Sequence, residues 1–314
     1  MPMNIETYQA LGLDQPFPME VNGRSTMDIR DALNVPGDAM YHPCSDAYPR
    51  PDVTSENVVA FTDWRKTRVY PETKRDMWVF VPEGMTGESP VIVFNDGAGY
   101  LNREGPVRAG VVLNNMIAAG EIAPTVGVFL NPGQPVASNG SSNQRSYEYD
   151  SVTPDYGYFI IDEVLPFIAA EMGVTFSLDP NKRTICGISS GGICAFNLAW
   201  HHPDSFGRVL SHCGSFTNIR GGHNFPYLIR TTERKPIRVF LQSGEADAAI
   251  PLGDWPIANK TMANAFEYAG YDYRFEFGKG ATVSRMAARS SRKVFAGCGG
   301  TKRFLVRCAI DNGF

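Results

Sequence analysis

Short apolar runs alternate with stretches of helical periodicity from residue 66 to residue 277, and this order is what strands joined by crossover helices require. The strand-like runs are KTRVY (66–70), RDMWVFVP (75–82), VIVFN (91–95), TVGVFL (125–130), RTICGI (183–188), RVLSHC (208–213), IRVFLQ (237–242) and YDYRFEF (271–277). Between them lie VRAGVVLNNMIAAG (107–120), YFIIDEVLPFIAAEM (158–172), GICAFNLAWHH (192–202) and IANKTMANAFEYAG (257–270), with Gly120 placed to end the first helix. A helix between successive strands makes them parallel, and runs that are apolar throughout belong to a sheet covered on both faces. The expected fold class is therefore α/β, a mostly parallel central sheet with helices on both sides. With 314 residues and 43% apolar content the chain can bury the core of one large domain. The first 60 residues, rich in Pro, Asp and Asn, read as an irregular extension; 61–280 form the domain, and 281–314 are a chemically different tail.

A formal charge of -4 excludes the dominant basic field of a nucleic-acid or membrane-surface binder and points to a small-molecule partner. No basic segment followed by an apolar one opens the chain, and no apolar run approaches 18 residues, so a cytoplasmic location is expected. The six cysteines (Cys44, Cys186, Cys194, Cys213, Cys298 and Cys308) contain no CxxC pair and read as buried thiols. Cys194, His201, His202 and Cys213 lack a zinc-ligand spacing, so neither metal nor cofactor is expected. The oligomeric state leaves no mark in the sequence.

The chemistry concentrates in RTICGISSGGICAFNLAW, where Gly187-Ile188-Ser189-Ser190-Gly191 matches the G-x-S-x-G pattern between a strand and a helix. Such a turn lifts the serine hydroxyl above the edge of the sheet and turns a helix N-terminus towards developing negative charge. Ser189 is the expected nucleophile. An oxyanion hole needs the amide after the nucleophile, that of Ser190, and one from the turn after an earlier strand. FNDGAGY offers Gly97 or Ala98 for the second. The acid should follow a later strand, and in QSGEADAAIPLGDWP Asp247 is favoured over Glu245, with Asp254 also present. Tyr100, Tyr149, Phe216 and Trp255 lie near strand ends and serve either a substrate pocket or the core.

FNDGAGY, GISSGG, HPDSFGRVLSHCGSF and LQSGEAD stand in the order and at the spacings of the enterochelin-esterase and esterase-D-like branch of the α/β-hydrolases, which the chain resembles over residues 60–280. The resemblance implies a serine esterase acting on small carboxylic esters through an acyl-enzyme, with Ser189 as nucleophile, Asp247 as triad acid and no metal. It also implies a base histidine in a GxxH or GxGH turn after the last strand. Here that turn reads GKGAT, and His42, His201, His202, His212 and His223 all precede Asp247. Without a base the serine hydroxyl is a poor nucleophile near neutral pH. His223 is the one histidine offered as a substitute, since His201 and His202 end the elbow helix.

The tail carries seven Lys or Arg against Asp311 alone, a net of +6, which leaves -10 for the rest of the chain. Read from two bases later with suitable synonymous codons, ATVSRMAARSSRKVFAGCGG (281–300) becomes HSQPHGGAIFPEGLRWLWRD. That peptide places histidine directly after GKG and follows it with an amphipathic segment fit to cover the sheet. Two nucleotides gained, or one lost, near the codon for Gly280 yield the tail as it stands, so a frameshift is the expected origin of both the missing base histidine and the charge break. The competing reading is a genuine basic C-terminus. Lactonase, acyltransferase and a catalytically silent binding protein remain alternatives on the same cleft.

Overall fold

The computed structural model describes residues 43–280, apart from 86 and 138–142, together with the short paired strands Glu20–Val21 and Arg24–Ser25. The basic tail with its expected frameshift, His42 and most of the N-terminal extension lie outside the described residues.

Eight strands form the central sheet: β1 (Val58–Trp64), β2 (Thr73–Phe80), β3 (Val91–Asn95), β4 (Val126–Leu130), β5 (Arg183–Ile188), β6 (Arg208–His212), β7 (Arg238–Gly244) and β8 (Asp272–Gly278). Their order across the sheet is β1-β2-β4-β3-β5-β6-β7-β8, and a short ninth strand, Gln134–Pro135, pairs with the start of β2. From β4 to β8 every pairing is parallel, while β1 and β2 are antiparallel to their neighbours. All five residues of β3 and of β4 are buried, as strands covered on both faces must be.

The helices are α1 (Gly97–Leu101), α2 (Ala109–Ala118), α3 (Gln144–Asp150), α4 (Asp155–Tyr158), α5 (Leu165–Met172), α6 (Ser190–His201), α7 (Phe225–Thr231) and α8 (Trp255–Tyr268). A π-helical turn, Phe159–Val164, joins α4 to α5. Pro166 stands two residues past its end, and because proline lacks an amide hydrogen and its ring crowds the preceding turn, a widened turn relieves the clash within one continuous helical stretch. One face of the sheet packs on α5, α6 and α8, with Phe196 of α6 against Phe216, Phe225 and Phe266. On the other face Phe80, Ile92, Phe94 and Phe129 meet Val112, Leu113 and Met116 of α2. Each large side chain buried in these layers contributes roughly 1.5–3 kcal/mol.

The expected strand at 66–70 is absent. Thr67 closes a turn on Arg65, and Glu163 accepts from the Thr67 hydroxyl and the amides of Arg68 and Val69, so those amides serve a loop and not a ladder. The strand beside β2 comes earlier, from Val58, inside what the composition marks as extension.

Candidate active site

Ser189 stands between β5 and α6 at φ 58°, ψ -121°, a region that a residue with a side chain occupies only when its surroundings enforce it. The enforcement is visible on both sides. Its amide donates to the His212 carbonyl at 2.9 Å, and its carbonyl accepts from Gly192, Ile193 and Ser215. Position 187 must be glycine, because a Cβ there would overlap the backbone of Gly191 in the first turn of α6. The tight strand-to-helix passage thus presents Ser189 at the C-terminal edge of the parallel strands, with the Ser190 amide that opens α6 next in the chain.

The turn after β3 meets the elbow directly. Asn95 donates from Nδ2 to the Gly191 carbonyl at 3.0 Å and accepts from the Tyr156 hydroxyl at 2.7 Å. Asp96 is left-handed, at φ 54° and ψ 46°, and both its carboxylate oxygens receive Arg145, from Nε and Nη2, each at 2.8 Å. The amides of the turn are almost all taken: Asp96 donates to the Tyr149 hydroxyl at 3.1 Å, Ala98 to Asn131 Oδ1 at 3.0 Å, and Gly99 to the Asp96 carbonyl. The Gly97 amide has no partner among the described residues. Of the two amides that the sequence offers here, Ala98 is thus engaged and Gly97 open.

Asp247 lies in the turn after β7 and is buried, with its carboxylate accepting from Ser243 Oγ at 3.0 Å and from the Ala248 amide at 2.9 Å. Because β5, β6 and β7 are parallel neighbours in register, the elbow and this turn share one sheet edge. Glu245 is exposed in the same turn, and Asp254 caps α8 by accepting from the Ile257 amide.

Among the described residues no histidine imidazole is hydrogen-bonded to Ser189 or Asp247; the bond from the Ser189 amide to His212 is to its backbone carbonyl. His201 and His202 sit at the far end of α6, with Nε2 on the carbonyls of Val152 and Pro154. His212 is buried on the α2 side, with Nδ1 2.8 Å from the Tyr100 hydroxyl, and burial pushes its pKa down to about 4. His223 lies exposed in a 3-10 turn, Gly222–Asn224. Among the described residues no three His, Cys, Asp or Glu side chains gather as a metal site.

The four aromatic residues offered to a pocket are all buried. Tyr100 reaches His212, Tyr149 holds the Asp96 amide, Phe216 belongs to the aromatic cluster around Phe196, and Trp255 begins α8. The sequence reading missed α3, every turn of which works on the site. Arg145 and Tyr149, four residues apart, hold Asp96. Asp150 receives the hydroxyls of Ser146 and Ser215, and burial lifts its carboxyl above the ordinary value against the pull of Arg145 and of the serine hydroxyls around it. Glu148 meets Arg75 in a fully buried pair. The signal was the i, i+4 spacing of polar residues in QRSYEYD, which also reads as a solvated helix.

The Esterase family model, "Putative esterase", matches residues 69–264, more than half of the chain. The iron(III) enterobactin esterase of Dickeya dadantii is 27% identical over 227 residues, covering 67% of this chain and 47% of that protein. The protein of the same name from Escherichia coli K12 is 25% identical over 220 residues, covering 68% and 50%. The chain thus spans about half the length of the curated relatives it matches. Among solved structures, the enterobactin esterase of Shigella flexneri in the presence of 2,3-dihydroxy-N-benzoyl-glycine superposes with a TM-score of 0.63 at 19% identity, over 82% of this chain and 62% of that one. A ferulic acid esterase superposes with a TM-score of 0.62 at 17% identity, over 78% and 99%. No helix among the described residues is long and apolar enough to cross a membrane. The motifs, the strand order and these matches agree: the chain belongs to the Esterase family, enterochelin-esterase-like proteins of the α/β-hydrolase fold.

Proposed function

We propose that this protein is built as a serine carboxylesterase for small-molecule esters, the class to which enterobactin and ferulic acid esterases belong by name. The strained backbone of Ser189 carries the reading, since nothing in packing alone asks for a serine at that conformation. Ser189 attacks the ester carbonyl, the amides of Gly97 and Ser190 hold the oxyanion, and the alcohol leaves to give an acyl-enzyme that water then cleaves. Asp247 orients the base and stabilises its protonated form. The base is the histidine that the other reading frame supplies directly after Gly280, where this chain has Ala281. The sequenced chain is therefore a crippled esterase, in which the oxyanion hole survives and the proton acceptor does not.

Turnover of p-nitrophenyl butyrate by two chains tests this: the chain as it stands, and one whose residues after Gly280 follow the other frame. Loss of one triad member costs on the order of 10⁴–10⁶ in kcat, so the second chain should be faster by at least about 10³, and Ser189→Ala should remove that gain. Equal rates would assign the base elsewhere. Retention of activity in Ser189→Ala would end the serine mechanism.

A further inference from the structure

The turn that offers the Gly97 amide is held in an unfavourable shape by a group 49 residues away. Asp96 carries a side chain at φ 54°, ψ 46°, where only Gly, and less readily Asn or Asp, rests without help. Arg145 grips its carboxylate through two parallel hydrogen bonds of 2.8 Å, and Tyr149, one turn further along α3, receives its amide. Two bonds in a fork fix the direction of a carboxylate as well as its place. Asn131 then takes the Ala98 amide, so of the amides from 96 to 99 that of Gly97 alone is without a partner among the described residues.

We infer that Arg145 is a positioning residue that, through Asp96, holds the Gly97 amide in the direction an oxyanion needs. It touches neither the ester nor Ser189 in this role. The inference rests on the proposed serine mechanism and extends it to the device that builds the oxyanion hole. An oxyanion-hole donor is worth on the order of 10²–10³ in kcat, and a misdirected donor forfeits most of that. The loss falls on the tetrahedral state and leaves ground-state binding alone.

Phenylboronic acid reads the hole in the chain as it stands, without a catalytic base. The Ser189 oxygen bonds to the trigonal boron, its proton passes to water, and the resulting tetrahedral boronate anion sets one oxygen in the hole. Titration followed by boron NMR should show binding weakened at least tenfold in Arg145→Met. Arg145→Lys should stay weak, since a point charge cannot fork, and Asp96→Gly combined with Arg145→Met should recover part of the affinity because glycine adopts this turn unaided. In the chain with the other tail, Arg145→Met should lower kcat on the order of 10²-fold and leave KM within about twofold. A merely structural role for Arg145 would give neither that split nor the glycine rescue. Should Arg145→Met fail to fold, Asp96→Asn tests the same fork with the turn preserved. Parent-like boronate binding or kcat in these variants overturns the inference, as does a loss confined to KM. Boronate bound equally well by Ser189→Ala would instead overturn the nucleophile assignment.

Discussion

Replacing Glu148 with leucine should unfold more than a local contact. Arg75 and Glu148 have no exposed side-chain surface, and their bonds run from Nη1 to Oε2 at 2.8 Å and from Nη2 to Oε1 at 3.0 Å. The substitution leaves a guanidinium inside the protein with Thr73 Oγ1 as a hydrogen-bond acceptor and the rings of Phe159 and Tyr70 nearby. It also strips the Gly133 amide and Gln144 Nε2 of an acceptor. Breaking a buried pair by removing one partner costs about 3–5 kcal/mol, because the remaining charge is uncompensated, and the ring faces return at most about 2 kcal/mol. For a domain of this size each kcal/mol lowers Tm by about 2–4 °C, so a fall on the order of 10 °C is expected. Arg75→Met with Glu148→Leu removes both charges and should recover most of the loss, since an apolar pair of similar volume is often neutral. Urea unfolding followed by tryptophan fluorescence on the parent, both single variants and the double variant gives the coupling directly. A single variant within about 1 kcal/mol of the parent, or a double variant as unstable as the singles, would refute the argument that this pair is a buried charge couple tying β2 to α3.

Two further outcomes are expected. The buried His212 is held neutral with its pKa pushed from 6.5 to about 4, so the unfolded chain takes up a proton that the folded one refuses. That stability is complete above pH 6.5 and drains away as pH falls towards 4, by on the order of 2 kcal/mol at pH 5. Urea midpoints at pH 7.5 and 5 should therefore drop further for the parent than for His212→Gln, and equal drops would remove His212 as the cause. His223→Gln should leave the residual p-nitrophenyl butyrate turnover of the sequenced chain unchanged, because that imidazole is exposed in a turn and not locked beside Asp247. A further tenfold loss would make it the substitute base.

The sheet was legible because burial on both faces leaves little freedom: runs such as VIVFN and TVGVFL can be satisfied only as central strands, and both are. KTRVY misled because period-two patterning of five residues says nothing about where its amides go, and Glu163, nearly a hundred residues later, takes them. In the site, Ser189 could be read because the elbow packs its whole geometry into five consecutive residues. The brace around it could not. Arg145, Asn131 and Asp150 act through partners 30 to 65 residues away in sequence, and their types are those of any polar loop or helix face. Aromatic residues at strand ends carried the opposite risk, since Tyr100 and Phe216 have the composition of a pocket and the burial of a core.

The place left for a base follows from the two edge strands. Gly244 and Gly278 are register partners at the ends of β7 and β8, and the Glu245 amide donates to the Gly278 carbonyl at 2.9 Å. The close approach continues beyond the strands, for a Cβ on Gly244 would run into the Gly280 carbonyl. Gly280 is buried against the strand end that launches the turn carrying Asp247. The described part of the last strand therefore ends beside the turn that carries Asp247, on the sheet edge that also holds Ser189. His201, by contrast, stands at the opposite end of a helix of 12 residues, about 16 Å along its axis from Ser190. In a triad the histidine is the only member that must touch both of the others. The strand order brings Asp247 and Ser189 to one edge, and the last described strand ends beside the turn that carries Asp247, so on the proposed serine mechanism a change of frame after Gly280 would remove the base from the segment that follows that strand.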